Sequence, residues 1–315
     1  MELITIVIPV LNEEKNISLI AERIAGALHD EKYELLFIDD GSTDGTLAAI
    51  KALPEKQDRA VHYVSFSRNF GHQNALKAGF DHARGNCIIT LDGDMQHPPE
   101  LIPQMLTLWR NGANVVNTKR RVDPNLSLFK KLTSKIFYKI FDVCSDVPIE
   151  PGTADFRLVD RKIANLCSQS CEDVFFWRGL IPWMGFKQEF ISYSPNARAH
   201  GTTKYSLKKM LYLAWTGISS FSLLPLRISF VLSVLVFLSA LLYLVYILYT
   251  YCSGNAVPGW SSLLVAVLLF GSLQLLLLGI IGEYIGKTYM HSKQRPPYVI
   301  NEQSLDVSTK ERHDL

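Results

Sequence analysis

Charge is missing from one long stretch of this 315-residue chain: from Ile228 to Gly282 there is no Asp, Glu, Lys, Arg or His. That excludes an ordinary surface helix, which needs one polar face. Net charge is also scant, at +2, so composition makes no case for a nucleic-acid partner. The five cysteines are odd in number and widely spaced, which excludes a disulfide framework. Cys167 and Cys171 lie four apart, but no His or Cys cluster completes a zinc site, so the thiols read as free. Met1-Glu2-Leu3-Ile4 lacks the basic start of a cleavable leader. No Gly-x-Gly-x-x-Gly follows the first apolar run, which excludes a dinucleotide fingerprint. Internal repeats and low-complexity segments are absent too. What remains is 48% hydrophobic and 20% charged, a composition that folds.

The first part alternates short apolar runs with amphipathic stretches. Strands are predicted at Leu3–Pro9, Tyr33–Asp39, Val61–Ser65, Asn86–Leu91 and Ala113–Thr118. Helices are predicted at Glu13–Leu28, Thr43–Leu53 and His72–Ala83, with another after Pro98-Pro99. This rhythm implies an α/β domain with a mostly parallel sheet, whose ligands bind beyond the carboxyl ends of its strands. Polar clusters fall at those ends: Asn12-Glu13, Asp39-Asp40, Ser67-Arg68-Asn69 and Asp92-Gly93-Asp94. From Asn125 to Phe141 the chain is basic and helical in pattern, with Lys131, Lys135 and Lys139 on one face. Lys204–Leu224 is amphipathic and suits a helix lying in a membrane interface. Ile228–Thr250 and Ser261–Gly282 each exceed the roughly 20 residues that cross a hydrocarbon core.

The chemistry concentrates at Asp92-Gly93-Asp94. Carboxylates at i and i+2 on extended chain point the same way. Mg2+ or Mn2+ wants such hard oxygens and commonly takes one or two carboxylates plus substrate phosphates. Asp39-Asp40-Gly41-Ser42-Thr43-Asp44 could accept bonds from a ribose or a base, or simply cap a helix. His62, His72, His82 and His200 show no ligand spacing and read as structural or surface residues. Phe175, Phe176, Trp177 and Trp183 read as packing rather than a sugar floor.

Several spaced segments together resemble a known family. Ile8-Pro9-Val10-Leu11-Asn12-Glu13, Asp39 to Gly45, and Leu91-Asp92-Gly93-Asp94-Met95-Gln96-His97-Pro98-Pro99-Glu100 look like the three signatures of the inverting family-two glycosyltransferases of GT-A fold. Gly152-Thr153-Ala154-Asp155-Phe156-Arg157-Leu158, Arg198 to Ser206 and the two apolar segments resemble the polyprenyl-phosphate branch. That branch includes bactoprenol glucosyltransferases of O-antigen modification and, more distantly, dolichol-phosphate mannose synthases. The resemblance implies that Pro9, Asn12, Glu13, Asp40, Ser42 and Asp92 hold the nucleotide sugar. It implies Asp94 as metal ligand, with Gln96 and Asp92 beside it, and Asp155 as the acid near sugar and acceptor. Lys119, Arg120, Lys131 and Lys204 would face the acceptor phosphate. His97 departs from the pattern, which often has an acid there. The processive signature Gln-x-x-Arg-Trp is absent.

The expected domains are a GT-A unit over 1–200, an interfacial region over 201–227, a two-helix transmembrane anchor over 228–286 and a tail over 287–315. The expected reaction transfers one hexose, with inversion, from a UDP-sugar to polyprenyl phosphate. UDP-glucose is the first expectation and UDP-N-acetylglucosamine the second. A phosphate monoester has a second pKa of about 6 and is already an anionic nucleophile, so it needs little base help. Two phosphate-bearing substrates must instead be held together by a cation at one and basic side chains at the other. A non-lipid acceptor and a non-catalytic scaffold are the rival readings, and self-association is left open. Basic residues flank both apolar segments and none lies between them. Both ends are therefore expected at the cytoplasmic face of a bacterial inner membrane.

Overall fold

The computed structural model describes residues 2–54, 59–121, 150, 152–170, 175–194, 224–253 and 259–305. The basic segment with Lys131 and the interfacial segment with Lys204 lie outside the described residues. Strands β1 (Ile4–Val10), β2 (Tyr33–Asp39), β3 (Arg59–Phe66) and β4 (Cys87–Thr90) pair parallel in the order β4-β1-β2-β3. Helices α1 (Ile17–Ala27), α2 (Thr46–Lys51) and α3 (His72–His82) connect them. Every residue of β1 and β2 is buried, as a parallel sheet covered on both faces requires. This is why each strand reads as a continuous apolar run.

Beyond β4 the sheet changes character. Helix α4 (Ile102–Arg110) leads into β5 (Val115–Arg120), but β5 does not pair with β4. Strand β6 (Thr153–Asp160) slips between them and runs antiparallel to both. Helices α5 (Arg161–Gln169) and α6 (Trp177–Trp183) follow, and then β7 (Gln188–Tyr193), parallel to β5. Two long helices come next, α7 (Leu224–Cys252) and α8 (Trp260–Ser292), of 29 and 33 residues. The last strand, β8 (Ile300–Gln303), returns to the sheet and pairs antiparallel with β3. The eight-stranded order is β7-β5-β6-β4-β1-β2-β3-β8. The expected mostly parallel α/β sheet is thus present. The expected tail is partly a sheet strand, because β3 would otherwise expose its edge.

Two apolar layers sandwich the sheet. One joins Ile6, Ile8, Leu35 and Phe37 to α1 and α4 through Ile17, Ile24, Ile102 and Met105. The other joins Val7, Leu36 and Ile38 to α3, α5 and α6 through Ala75, Leu76, Ile163 and Trp177. Trp177 is 1% exposed and stacks on Phe175 at 4.9 Å, so its role is packing, as expected. Cys87 and Cys167 are buried free thiols, and Cys252 is an exposed one.

Helices α7 and α8 are built differently. Phe230, Phe237, Leu242 and Leu275 are 67–73% exposed, a fate no apolar side chain keeps in water without a partner. Among the described residues no helix is long and apolar enough to cross a membrane. The helices reach past the expected segments, from 224 to 252 and from 260 to 292, and shorten the expected 251–260 connection.

Candidate active site

The polar residues expected at strand ends do meet at the carboxyl edge of the sheet. Pro9 is buried inside β1 rather than in the loop. It needs no N–H there, because β4 pairs β1 only as far as Val7. Asn12, at φ 56°, takes the Thr43 N–H on Oδ1 at 2.8 Å and donates its own N–H to Ser42 Oγ at 2.9 Å. Glu13 donates its N–H to Thr46 Oγ1 at 2.8 Å. Asn12, Glu13 and Ser42 therefore latch the β1–α1 and β2–α2 loops to each other. Asp40 is 4% exposed and accepts the N–H groups of Phe70 at 2.7 Å and Gly71 at 3.0 Å, holding the loop before α3. Burial raises its pKa, and those two N–H groups oppose the rise. Gly41, at φ 72°, belongs to the same junction. A Cβ there would lie 2.4 Å from the Arg68 carbonyl carbon. These contacts tie the loops after β1, β2 and β3 into one polar edge of the sheet.

Asp92, Asp94 and Gln96 are half-buried and alternate with the buried Leu91, Gly93, Met95 and His97. Met95, at φ 63°, turns the chain back sharply. That reversal brings His97, five residues on, under Asp92. His97 Nε2 lies 3.0 Å from Asp92 Oδ2, and its Nδ1 lies 2.6 Å from the Tyr193 hydroxyl. The Asp94 Oδ1 accepts the Gln96 N–H at 3.1 Å. Among the described residues no cluster of three or more His, Cys, Asp or Glu side chains forms a metal cage. Two carboxylates and an amide nonetheless match what Mg2+ or Mn2+ takes when substrate phosphates supply the rest. Both Asp92 oxygens also lie near histidines, Oδ1 near His72 and Oδ2 near His97.

Asp155 lies on β6, 6% exposed, at the meeting point of three cations. Arg178 of α6 holds it bidentately, with Nε to Oδ1 at 3.0 Å and Nη2 to Oδ2 at 2.7 Å. Arg157 Nη2 reaches Oδ1 at 3.2 Å, and His72 Nε2 stands 3.7 Å from Oδ2. Burial pushes the carboxyl pKa up, but Arg178, His72 and Arg157 together hold it well below 3.8. Asp155 is thus a fixed anion and not a proton acceptor near neutrality.

His72 was expected to be structural or on the surface; its side chain is 40% exposed, and it also stands among the site carboxylates. Its ring bridges two site carboxylates, 3.5 Å from Asp92 Oδ1 and 3.7 Å from Asp155 Oδ2. Desolvation lowers its pKa, but the two carboxylates more than offset that and raise it to about 9. The imidazole is therefore cationic at neutral pH. Two bonds place it: Trp177 Nε1 donates to the Gln73 carbonyl at 2.9 Å, and Trp177 N–H donates to Gln73 Oε1 at 3.3 Å. These pin the start of α3 to the start of α6. Asp92 is pulled below its usual pKa by His72 and His97, against the upward push of burial.

The basic residues separate in role. Lys119 pairs with Glu150 at 2.7 Å, so its charge is already balanced. Arg120, ending β5, aims into the site: its Nε donates to Tyr193 Oη at 3.3 Å, and its Nη2 lies 3.3 Å from His97 Nε2. On the far side of Arg178 a cleft of about 270 Å³ opens between β5, β7 and α6, lined by Asn117, Thr153, Arg157 and Gln188. Sequence reasoning missed His72, Arg178 and Tyr193, and treated His97 only as a departure from a pattern. A signal existed for His72. It stands three residues after Asn69, just past the Ser67-Arg68-Asn69 cluster beyond a strand end, the position that flagged the other sites.

Comparison with known proteins decides the family. The Glycosyl transferase family 2 profile matches residues 5–166, and the GtrB C-terminal hairpin profile matches residues 224–288. The chain belongs to glycosyl transferase family 2. It is 38% identical, over 94% of this chain and 97% of the relative, to a bactoprenol glucosyl transferase of Shigella phage SfV. It is 39% identical to a prophage bactoprenol glucosyl transferase homolog of Escherichia coli K12, over 94% and 98% of the two chains. An uncharacterized glycosyltransferase of Bacillus subtilis, YkcC, is 42% identical over 97% and 95%. The fold also resembles the solved mannosyltransferase PcManGT of Pyrobaculum calidifontis, in complex with GDP-Man and Mn2+, at a TM-score of 0.50 and 16% identity, covering 91% and 84%. The hairpin profile falls on α7 and α8, so this family 2 enzyme carries its catalytic sheet and its apolar helix pair in one chain.

Proposed function

We propose that this enzyme transfers glucose from UDP-glucose to polyprenyl phosphate, with inversion, at the cytoplasmic face of a bacterial inner membrane. One conjunction carries the reading: an anionic strand-end site faced by Arg120 sits in the same chain as two helices with bare apolar surfaces. Relatives named bactoprenol glucosyl transferases that align along nearly the whole chain support it. UDP-N-acetylglucosamine is the second candidate donor.

In this reading the loops latched by Asn12, Ser42 and Asp40 receive the nucleotide. Asp94 and Gln96 hold a divalent ion, with Asp92 behind them. When bound, such an ion neutralises charge on the departing diphosphate. His72, cationic and one contact from Asp92, adds positive charge on the same side. Arg120 grips the acceptor phosphate, assisted by Lys131 and Lys204, which lie outside the described residues. Lys119 plays a lesser part because Glu150 holds it. The acceptor phosphate arrives as an anion, so no base need remove a proton. Asp155 then orients: its carboxylate fixes Arg178, Arg157 and His72 around the reacting centre. This accords with its depressed pKa, which makes it a poor base.

Helices α7 and α8 cross the bilayer in this reading. At 1.5 Å per residue, 29 and 33 residues run to roughly 43 and 50 Å, more than the roughly 30 Å core. Lipid is the partner that exposed Phe230, Phe237 and Leu242 would have. The test is direct. Membranes containing the enzyme are incubated with a panel of labelled nucleotide sugars and polyprenyl phosphate, and the lipids are extracted. Label from UDP-glucose in the lipid phase, dependent on added polyprenyl phosphate, is the expected result. Label that stays in water-soluble or protein products overturns the lipid acceptor.

A further inference from the structure

The site holds a chain of contacts that none of the assigned roles uses. It begins at Asp92 on the donor side and ends at Arg120 on the acceptor side. His97 Nε2 lies 3.0 Å from Asp92 Oδ2. In the tautomer that carries its proton on Nε2, the ring donates to that carboxylate. Nδ1 then accepts from the Tyr193 hydroxyl at 2.6 Å. The same phenolic oxygen accepts from Arg120 Nε at 3.3 Å. Three bonds thus link a strand-end carboxylate to a guanidinium 28 residues later.

The link is rigid by construction. His97 is fully buried on its side chain and packs beside Phe156, with ring centroids 5.5 Å apart. Tyr193 is 5% exposed and lies edge-on to the same ring at 6.5 Å. Arg120 and Tyr193 are direct partners where β5 and β7 end, so the sheet register sets their spacing. The left-handed turn at Met95, uncommon for a residue with a side chain, sets that of His97. A solvated pair would need none of this. Buried polar contacts of this kind fix geometry when every member is satisfied.

We infer that His97 and Tyr193 are positioning residues that hold Arg120 at a set distance from Asp92, so that acceptor phosphate and donor sugar meet in line. The inference rests on the reading of Arg120 as the acceptor-phosphate cation. A cationic fork is useful only if it is aimed, because an ångström of misplacement costs rate. Tyr193 aims it through a bond to Nε, and Nη2 also lies 3.3 Å from His97 Nε2, so phenol and imidazole together set the direction of the fork. The acceptor class that fits is therefore a phosphate monoester gripped by a planar fork.

Tyr193→Phe is the decisive variant, because it deletes one hydroxyl and keeps the packed ring. In the full-length enzyme in membranes, it should raise the KM for polyprenyl phosphate roughly fivefold, the scale of lost hydrogen bonds. The KM for UDP-glucose should stay within about twofold. His97→Gln keeps a donor for Asp92 but loses the Tyr193 link, and should behave like Tyr193→Phe. In an Arg120→Ala background, Tyr193→Phe should add nothing. If Arg120→Ala raises the acceptor KM and Tyr193→Phe leaves it unchanged, the relay is wrong while the acceptor site stands. If Arg120→Ala leaves the acceptor KM unchanged, the acceptor reading falls, and the relay with it. Equal loss toward both substrates in Tyr193→Phe would mark a merely structural role and also overturn the relay.

Discussion

Replacing Asp155 by Asn exchanges one oxygen for an amide nitrogen, yet it should cost this protein about as much as a core truncation. Arg157 is 2% exposed, and Asp155 is the carboxylate that touches it. Removing one partner of a buried ion pair leaves the other charge uncompensated, at about 3–5 kcal/mol. Arg178 is 43% exposed on its side chain, so water rescues it and its share is small. The Asn carbonyl keeps one acceptor, which places the net loss near the lower end, about 3 kcal/mol. For a unit of this size each kcal/mol shifts the melting temperature by about 2–4 °C. Asp155→Asn should therefore lower Tm by roughly 6–12 °C, read by intrinsic tryptophan fluorescence in detergent. The gap also has a pH signature. The Asp155 carboxyl is held well below 3.8, so its stabilisation is present above the unfolded value. It is lost only as pH falls below 3.8 toward the folded value. The two proteins should differ fully at pH 5 to 7 and converge only in stronger acid. An unchanged Tm at neutral pH would refute the idea that Asp155 neutralises Arg157. A gap that closes already near pH 6 would refute the depressed pKa.

Asp94→Asn should cut turnover by about a hundredfold or more with Tm unchanged, and excess chelator should do the same to the wild type. Full activity under either condition removes the metal role. Gly79→Ala places a Cβ 2.2 Å from Val7 Cγ1 in the core between α3 and β1. Overpacking costs about 1–3 kcal/mol and helix propensity returns up to about 1, so a net loss near 1–2 kcal/mol is expected by denaturant titration. A stabilised variant would mean that α3 is not seated as described. A single cysteine from Asn255→Cys, in a background lacking the native five, should react with an impermeant maleimide on intact cells. Labelling only after permeabilisation would overturn the crossing.

Much of the sheet was legible because a strand buried on both faces spells itself out in consecutive apolar residues. Tyr33–Asp39 was found to the residue. Strand β6 was not, since Asp155 and Arg157 break its apolar run, and their mutual pairing is what permits burial. Strand β8 has the polar sequence Ile300-Asn301-Glu302-Gln303, which carries no strand signal of its own; only pairing with β3, over 230 residues earlier, makes it one. The site followed the same division. Asp92, Asp94 and Asp155 sit in compact motifs and were legible as chemistry. Arg178, Tyr193 and the bridging role of His72 depend on which elements the fold places side by side. Asn12 and Ser42 each belong to a polar cluster readable after a strand, but their bond to each other is a product of two loops meeting. Lys131 and Lys204 fall outside the described residues.

Strand β8 also works as a leash. Seven residues separate the end of α8 at Ser292 from Ile300, and chain that short reaches at most roughly 25 Å. The leash is knotted at its far end: Tyr298 stacks on Phe66 at 4.9 Å and donates its hydroxyl to Asp81 of α3 at 2.8 Å. Asp81 in turn holds Lys77 at 2.5 Å, on the helix that begins with His72. The altitude of the active site above the end of α8 is therefore bounded from above by covalent length. In the membrane reading proposed above, a long-tailed substrate beside α8 would need to lift its head only within that radius. Lengthening this segment with a flexible insert would let the catalytic sheet wander from α8 while leaving every side chain of the site in place.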